Sequence, residues 1–244
     1  MNAEVSTTRR VQRVRHETRR RQLQVQRVEA VSPGVRRITL AGPELAGFLS
    51  ASFDDHVKVF IDVPGAEAAA RDYTPRRHDA AAGELDLEFA LHGDGPAAAW
   101  AARAQPGDLL TLGGPRGSFI VPLDYGWHLL AGDDTALPAI ARRLEELPAG
   151  SRAIVLLAVA GPDRRALATQ AETDLRWFDD DVALLAAARA LQLPAGEGYA
   201  WCAGEAATMA ALRRVLVQDK GHDAQAIRAA AYWKRGAASH HENL

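Results

Sequence analysis

Cysteine is almost absent from this 244-residue chain. The single thiol, Cys202, leaves no partner for an intrachain disulfide, and an iron–sulfur cluster ordinarily needs several thiolates. Long apolar runs are missing too. No stretch of about 18 or more apolar residues occurs, so no membrane span is expected. The N-terminus lacks the apolar core of a signal peptide, and the expected compartment is the cytoplasm. Neither sign of charge dominates: 29 Lys+Arg against 31 Asp+Glu give a net charge of -2, which argues against a surface devoted to nucleic acid. The chain also lacks G-x-G-x-x-G and G-x-x-x-x-G-K-[ST], so neither a standard Rossmann fingerprint nor a P-loop is supported.

What is present suffices for a core: 48% of residues are hydrophobic and 25% charged. The length lies between one large domain and two modest ones, and a monomer is expected. Charge is unevenly spread. Residues 9–21, RRVQRVRHETRRR, carry seven arginines and one acid, Glu17. That segment reads either as a docking arm for an acidic partner or as a solvated, flexible leader over residues 1–22, and the leader is the reading adopted.

From residue 23 to 123, short alternating stretches are separated by Gly/Pro/Asp clusters. They include LQVQRVEAV (23–31), VRRITL (35–40), HVKVFIDV (56–63), ELDLEFALH (84–92) and DLLTLGGP (108–115). This rhythm predicts a small antiparallel barrel or sandwich, with a short helix at 96–104. Past Val121 and Pro122 the pattern changes. WHLLAG (127–132), AIVLLAVA (153–160) and GYAWCAG (198–204) are continuous apolar runs, separated by helical periodicity such as 135–150 and 205–219. Residues 124–244 are therefore expected to form a parallel, doubly wound α/β domain.

Three barrel segments can converge on one ligand: RDYTPR (71–76), HGDGPAAAWA (92–101) and GGPRGSF (113–119). Arg71 and Tyr73 fall on one face of an extended chain, and Arg71 and Arg116 suit phosphate in forked geometry. The helix after Pro96 offers free amides to an anion. Each segment also has an ordinary turn-and-cap explanation; together they describe a pyrophosphate-plus-ring site. In GDDTALPAI (132–140), Asp134 or Thr135 can cap the following helix. The same place is a ligand crevice at a strand's C-terminal end, where two carboxylates favour a nicotinamide or ribose over a phosphate. The adjacent His240 and His241 are read as incidental, and no metal site is expected.

The order RxYTPR, HGDGPxxxWAxxAxPGD, GPRGS, GDDTALPAI, AGEA and YWKRG resembles the siderophore-interacting protein family over residues 23–236. These are FAD-containing ferric-siderophore reductases related in fold to ferredoxin–NADP reductases. The resemblance implies that Arg71 holds the FAD pyrophosphate, Tyr73 lies against the isoalloxazine ring and Thr74 hydrogen-bonds near its N5. It places His92, Gly95, Pro96, Ala97 and Trp100 in a second FAD segment, and Gly117 and Ser118 in a third. Asp134, Thr135, Ala136 and Leu137 would open the pyridine-nucleotide domain, with Gly204 and Glu205 at a later strand end. Tyr232 and Trp233 would be an aromatic pair beside the flavin. Lys58, Lys234 and Arg235 would meet an anionic ferric siderophore.

Three positions depart from the family pattern: Ala98 for serine, Asp134 for glutamate, and Ala231 for the glycine before the Tyr-Trp pair. The implied reaction passes a hydride from NAD(P)H to FAD and then single electrons to Fe(III). Arg164 and Arg165 follow the second apolar run, where an adenosine ribose is expected, and their charge favours NADPH over NADH through a 2′-phosphate. Ferredoxin is the alternative donor, docked on the basic arm. A non-catalytic siderophore or flavin carrier is the alternative of a different class.

Overall fold

The protein is described from a computed structural model covering residues 10–63, 65, 67–91 and 95–237, with the backbone of 242–243. His92, His240 and His241 lie outside the described residues.

The first half runs through β1 (Gln12–Arg15), β2 (Arg20–Ser32), β3 (Val35–Ala41), β4 (Val57–Ile61), β5 (Ala69–Tyr73), β6 (Arg77–Asp79) and β7 (Glu84–Ala90). It continues with α1 (Pro96–Arg103), β8 (Leu109–Gly113) and β9 (Gly117–Ile120). Seven of these strands form one antiparallel sheet in the order β5-β4-β8-β2-β3-β7-β6. Period-2 alternation turns Leu23, Val25, Ile38, Leu40, Val57, Val59, Leu85, Leu87 and Leu112 into a single core, on which α1 lays Ala97 and Ala101.

The basic segment is not a free leader from residue 10 onward. β1 pairs antiparallel with β9, and Arg21 on β2 is buried, donating to the carbonyls of Glu44 at 2.9 Å and Gly114 at 3.2 Å. Alternating Gln, Val and Arg satisfied a strand as readily as a solvated tail, and the charged tips of β1 stay in water.

The second half contains β10 (Trp127–Asp133), α2 (Leu137–Glu146), β11 (Arg152–Ala158), β12 (Glu172–Phe178), α3 (Asp181–Ala190), β13 (Gly198–Glu205), α4 (Ala206–Arg214), β14 (Ile227–Trp233) and β15 (Glu242–Asn243). Its sheet runs β12-β11-β10-β13-β14-β15, parallel except for β15. β10 and β13 are buried at every residue, which is why they read as unbroken apolar runs. Strand order reverses between β10 and β13, so their C-terminal ends flank the crevice of a doubly wound sheet.

Polar contacts lock the halves together. Arg76 after β5 forms a two-point ion pair with Glu145 of α2. Arg142 of α2 donates to the carbonyls of Pro75 at 2.8 Å and Ser50 at 3.0 Å. Buried Asp54 accepts the Trp201 indole N–H at 2.9 Å and lies 2.5 Å from Arg228. Burial, opposed by Arg228, pushes its carboxyl up to about 6.

Candidate active site

β5 is the edge of its sheet, and beside it a cavity of about 300 Å³ faces the C-terminal ends of β10 and β14. From the barrel come Lys58, Arg71, Tyr73 and Thr74, the first turn of α1 (Gly95, Ala97, Ala98), and Glu88. From the α/β domain come Asp134, Thr135, Pro138, Arg165, Tyr232 and Trp233.

Register explains the barrel wall. Arg71 and Tyr73 stand opposite Val59 and Val57, on the inner face of the curled sheet, whereas Asp72 stands opposite Lys58 on the other face. Lys58 Nζ and Asp72 Oδ1 are 2.7 Å apart. The Tyr73 ring packs on Phe89 with centroids 4.3 Å apart, and Phe89 packs on Trp100 at 5.4 Å. Trp100 thus props Tyr73 through Phe89 and does not line the cavity. Burial pushes the Tyr73 phenol up to about 12, so the ring is neutral. The Thr74 and Tyr232 hydroxyls hydrogen-bond to each other across the cleft.

Two features on this wall favour an anion. The Arg71 guanidinium donates to the Ala70 carbonyl at 2.9 Å, and no carboxylate pairs with it among the described residues. The N-cap of α1 is Gly95, which brings no capping side chain; Pro96 follows in the first turn, and the Ala99 amide turns back to the Gly95 carbonyl at 3.0 Å. The first-turn end of the helix therefore faces the cleft, with no capping side chain among the described residues.

The facing wall is organised by a residue that the motif reading did not single out. Asp133, at the end of β10, is buried and accepts from the Thr135 amide at 2.9 Å, the Thr135 hydroxyl at 2.5 Å, the Glu205 amide at 3.1 Å and the Trp233 indole at 2.7 Å. Burial, with the neighbouring Asp134 charge adding to it, pushes this carboxyl up to about 6. The N-cap of α2 is Ala136, so neither Asp134 nor Thr135 caps that helix.

Several residues expected at the ligand stand elsewhere. Ala136 and Leu137 are buried at the start of α2. A Cβ on Gly204, where φ is +150°, would come within 2.6 Å of Asp133 Oδ2, so this glycine makes room for a carboxylate. Glu205 caps α4, accepting from the amides of Ala207 at 2.7 Å and Thr208 at 3.0 Å. Gly117 is pressed under β1, where a Cβ would meet the Val14 carbonyl at 2.3 Å. Ser118 is buried between Asp55, at 2.7 Å, and His16, at 2.8 Å. Arg164 binds the Val159 carbonyl at 2.9 Å and Asp179, whereas Arg165 does line the cavity, paired there with Glu88. Pro96, Lys234 and Arg235 adjoin the cavity without lining it. His56 and Glu88, which do line it, gave no sequence signal: Glu88 sits on the outward alternation of β7 and is covered only because the second domain closes over it.

Two family models divide the chain as the two halves do. One, described as siderophore-interacting FAD-binding domain, matches residues 24–70 and 63–119; the other, described as siderophore-interacting protein, matches residues 125–236. An Escherichia coli (strain K12) protein named NADPH-dependent ferric-chelate reductase is 38% identical, over 93% of this chain and 98% of its own. The chain belongs to the siderophore-interacting protein family. The ferric vibriobactin reductase ViuB of Vibrio cholerae serotype O1 is 34% identical, over 86% of this chain and 88% of its own. The crystal structure of a siderophore utilization protein from T. fusca matches with a TM-score of 0.87 and 32% identity, covering 96% of this chain and 98% of that one.

Proposed function

We propose that this member of the family reduces ferric iron held in a siderophore, using FAD as its resident cofactor and NADPH as the donor. The observation that carries the reading is the pairing of two anion-favouring features, Arg71 and the first turn of α1, with the Tyr73 ring, backed by Phe89, on the same wall of one cleft. A pyrophosphate fits the first pair, and a flat ring fits against Tyr73 and Thr74. Arg71 would hold the pyrophosphate in a forked, charge-assisted contact, with the first-turn end of α1 completing the cradle.

Flavin, when bound, couples a two-electron donor to a one-electron acceptor, chemistry that no side chain supplies. The protein's work is to bind and orient. The Phe89–Trp100 stack sets the plane of Tyr73, and the Thr74–Tyr232 hydrogen bond ties the barrel edge to β14. Asp133 fixes Trp233 at the cavity, and Asp134 and Thr135 present polar groups where a nicotinamide or ribose would enter. The ferric siderophore approaches by the Lys58 side, where positive charge suits an anionic chelate, with Lys234 and Arg235 on the rim.

The chain acts in this reading as a monomer of two units, 23–123 and 124–244. A ferredoxin in place of NADPH is the second reading. What favours it is the outer face of β1, which carries the exposed Arg13 and Arg15. Turnover that needs reduced ferredoxin, falls steeply with salt and is lost when Arg13 and Arg15 are both changed to Ala would select it; turnover with NADPH alone would select the first.

A further inference from the structure

The carboxylate of Glu88 on β7 is buried in the cleft wall, its side chain 1% exposed, with three guanidiniums around it. Arg37, opposite it on β3, donates to Oε1 from Nη2 at 2.6 Å and from Nε at 3.2 Å. Arg76 brings Nε to 3.7 Å from the same oxygen while its other donors are held by Glu145. Arg165 reaches over from the α/β domain and donates to Oε2. Asp86 also acts on Arg76, so no net charge is left over; what the cluster does is crowd three guanidiniums onto the one buried Glu88 carboxylate.

The donors outnumber the acceptors that reach them. Arg165 Nη1 and Arg76 Nε are buried without a hydrogen-bond partner among the described residues. Burial, working against the attraction of Glu88 and aided by Arg37 and Arg76, holds the Arg165 pKa below its ordinary value. Glu88 and Arg165 share the cavity with the first turn of α1, whose N-cap, Gly95, brings no side chain. A guanidinium with an unused edge, set near a helix N-terminus, is suited to a phosphate ester.

We propose that Arg165 is shared between Glu88 and a phosphate of an adenine dinucleotide in this cleft, so that Glu88 is a built-in carboxylate competitor displaced when the phosphate binds. The exchange breaks no regular element, because Arg165 lies between the single turn at Gly161–Asp163 and β12. It leaves Glu88 paired, because Arg37 stays in place. The proposal deepens the nucleotide-binding reading above and rests on it. Two phosphates share the required chemistry: the flavin pyrophosphate and the 2′-phosphate of a nicotinamide nucleotide.

Calorimetric titration of the full chain separates them. FAD and riboflavin are titrated into flavin-free protein, and NADP⁺ and NAD⁺ into FAD-loaded protein, for wild type, Arg165→Met and Glu88→Gln. If the phosphate is the flavin's, Arg165→Met weakens FAD by about tenfold and leaves riboflavin unchanged; if it is the 2′-phosphate, the loss falls on NADP⁺ and spares NAD⁺. In either case Glu88→Gln tightens the affected probe several-fold. The proposal is overturned if Arg165→Met leaves both FAD and NADP⁺ unchanged, or if whichever of the two it weakens is matched by an equal loss of its comparison probe, riboflavin for FAD or NAD⁺ for NADP⁺. It is also overturned if Glu88→Gln weakens the probe that Arg165→Met weakens, since Glu88 would then be a structural anchor. Should Glu88→Gln fail to fold, the Arg165→Met discrimination decides alone. A wild type that binds none of the four probes overturns the nucleotide reading and this proposal together, whereas wild-type binding without discrimination by Arg165→Met overturns the proposal only.

Discussion

Trp233 donates its indole N–H to Asp133 Oδ2 at 2.7 Å, joining the C-terminal ends of β14 and β10 across the intervening β13. The Glu205 amide at the end of β13 donates to the same oxygen, so one carboxylate ties three neighbouring strand ends at the cavity. Each of its four partners is a donor. An amide cannot replace a carboxylate there, because its NH₂ would face other donors.

Asp133→Asn is therefore expected to lower stability by about 1–3 kcal/mol in denaturant melts. The loss should depend on pH in a stated direction. Burial raises the folded-state pKa of Asp133 to about 6, above its unfolded value, so its titration favours folding most below about pH 4 and does so less as pH rises through 6. The wild-type advantage over Asp133→Asn should shrink between about pH 4 and pH 7. An advantage that grows over that interval contradicts the assignment.

Gly117 is where fold and site reading part. A Cβ there would meet the Val14 carbonyl at 2.3 Å, and backbone cannot yield as a flexible side chain can. Gly117→Ala should release β1, seen as faster hydrogen exchange of the 12–15 amides, and cost about 1–3 kcal/mol. FAD affinity should be unchanged, because Gly117 lies away from the cavity; a large loss of FAD with β1 intact would restore Gly117 to the cofactor site.

Tyr73 rests on Phe89 at 4.3 Å and lines the cavity. Tyr73→Ala should weaken FAD binding by about 1 kcal/mol and alter the visible flavin spectrum, with Tyr73→Phe close to wild type. An unaltered spectrum and affinity in the alanine variant would move the ring site elsewhere.

Lys58 is neutralised by Asp72 at 2.7 Å. Freeing it with Asp72→Asn should lower the KM for an anionic ferric chelate several-fold, and the gain should fade toward about 1 M salt. Lys58→Ala should raise that KM. If neither substitution moves it, the chelate enters by another side.

The architecture was largely legible because its signals are local. Alternation marked the barrel strands, and the unbroken runs at 127–132 and 153–160 marked strands covered on both faces. β12, with burial that alternates between exposed and intermediate, carries no such run and is not distinguishable from a loop by composition. The site was legible where one segment carries it, as in Arg71, Tyr73 and Thr74. It was not where neighbours distant in sequence decide. Asp133 is a hub only because β10, β13 and β14 lie side by side, and Arg165 meets Glu88 only because the two domains close over β7. Gly204 and Glu205 sit at the expected strand end, but there they serve packing and capping.

The most direct test of the central claim is anaerobic and optical. The FAD-loaded protein is mixed with NADPH while flavin absorbance is followed, and a ferric siderophore is then added together with an Fe(II) chelator. Bleaching by NADPH, followed by recovery of the flavin band and growth of the Fe(II) complex, is the predicted result. A chain that takes up no FAD, or a flavin that NADPH bleaches but the ferric siderophore does not reoxidise, would contradict it.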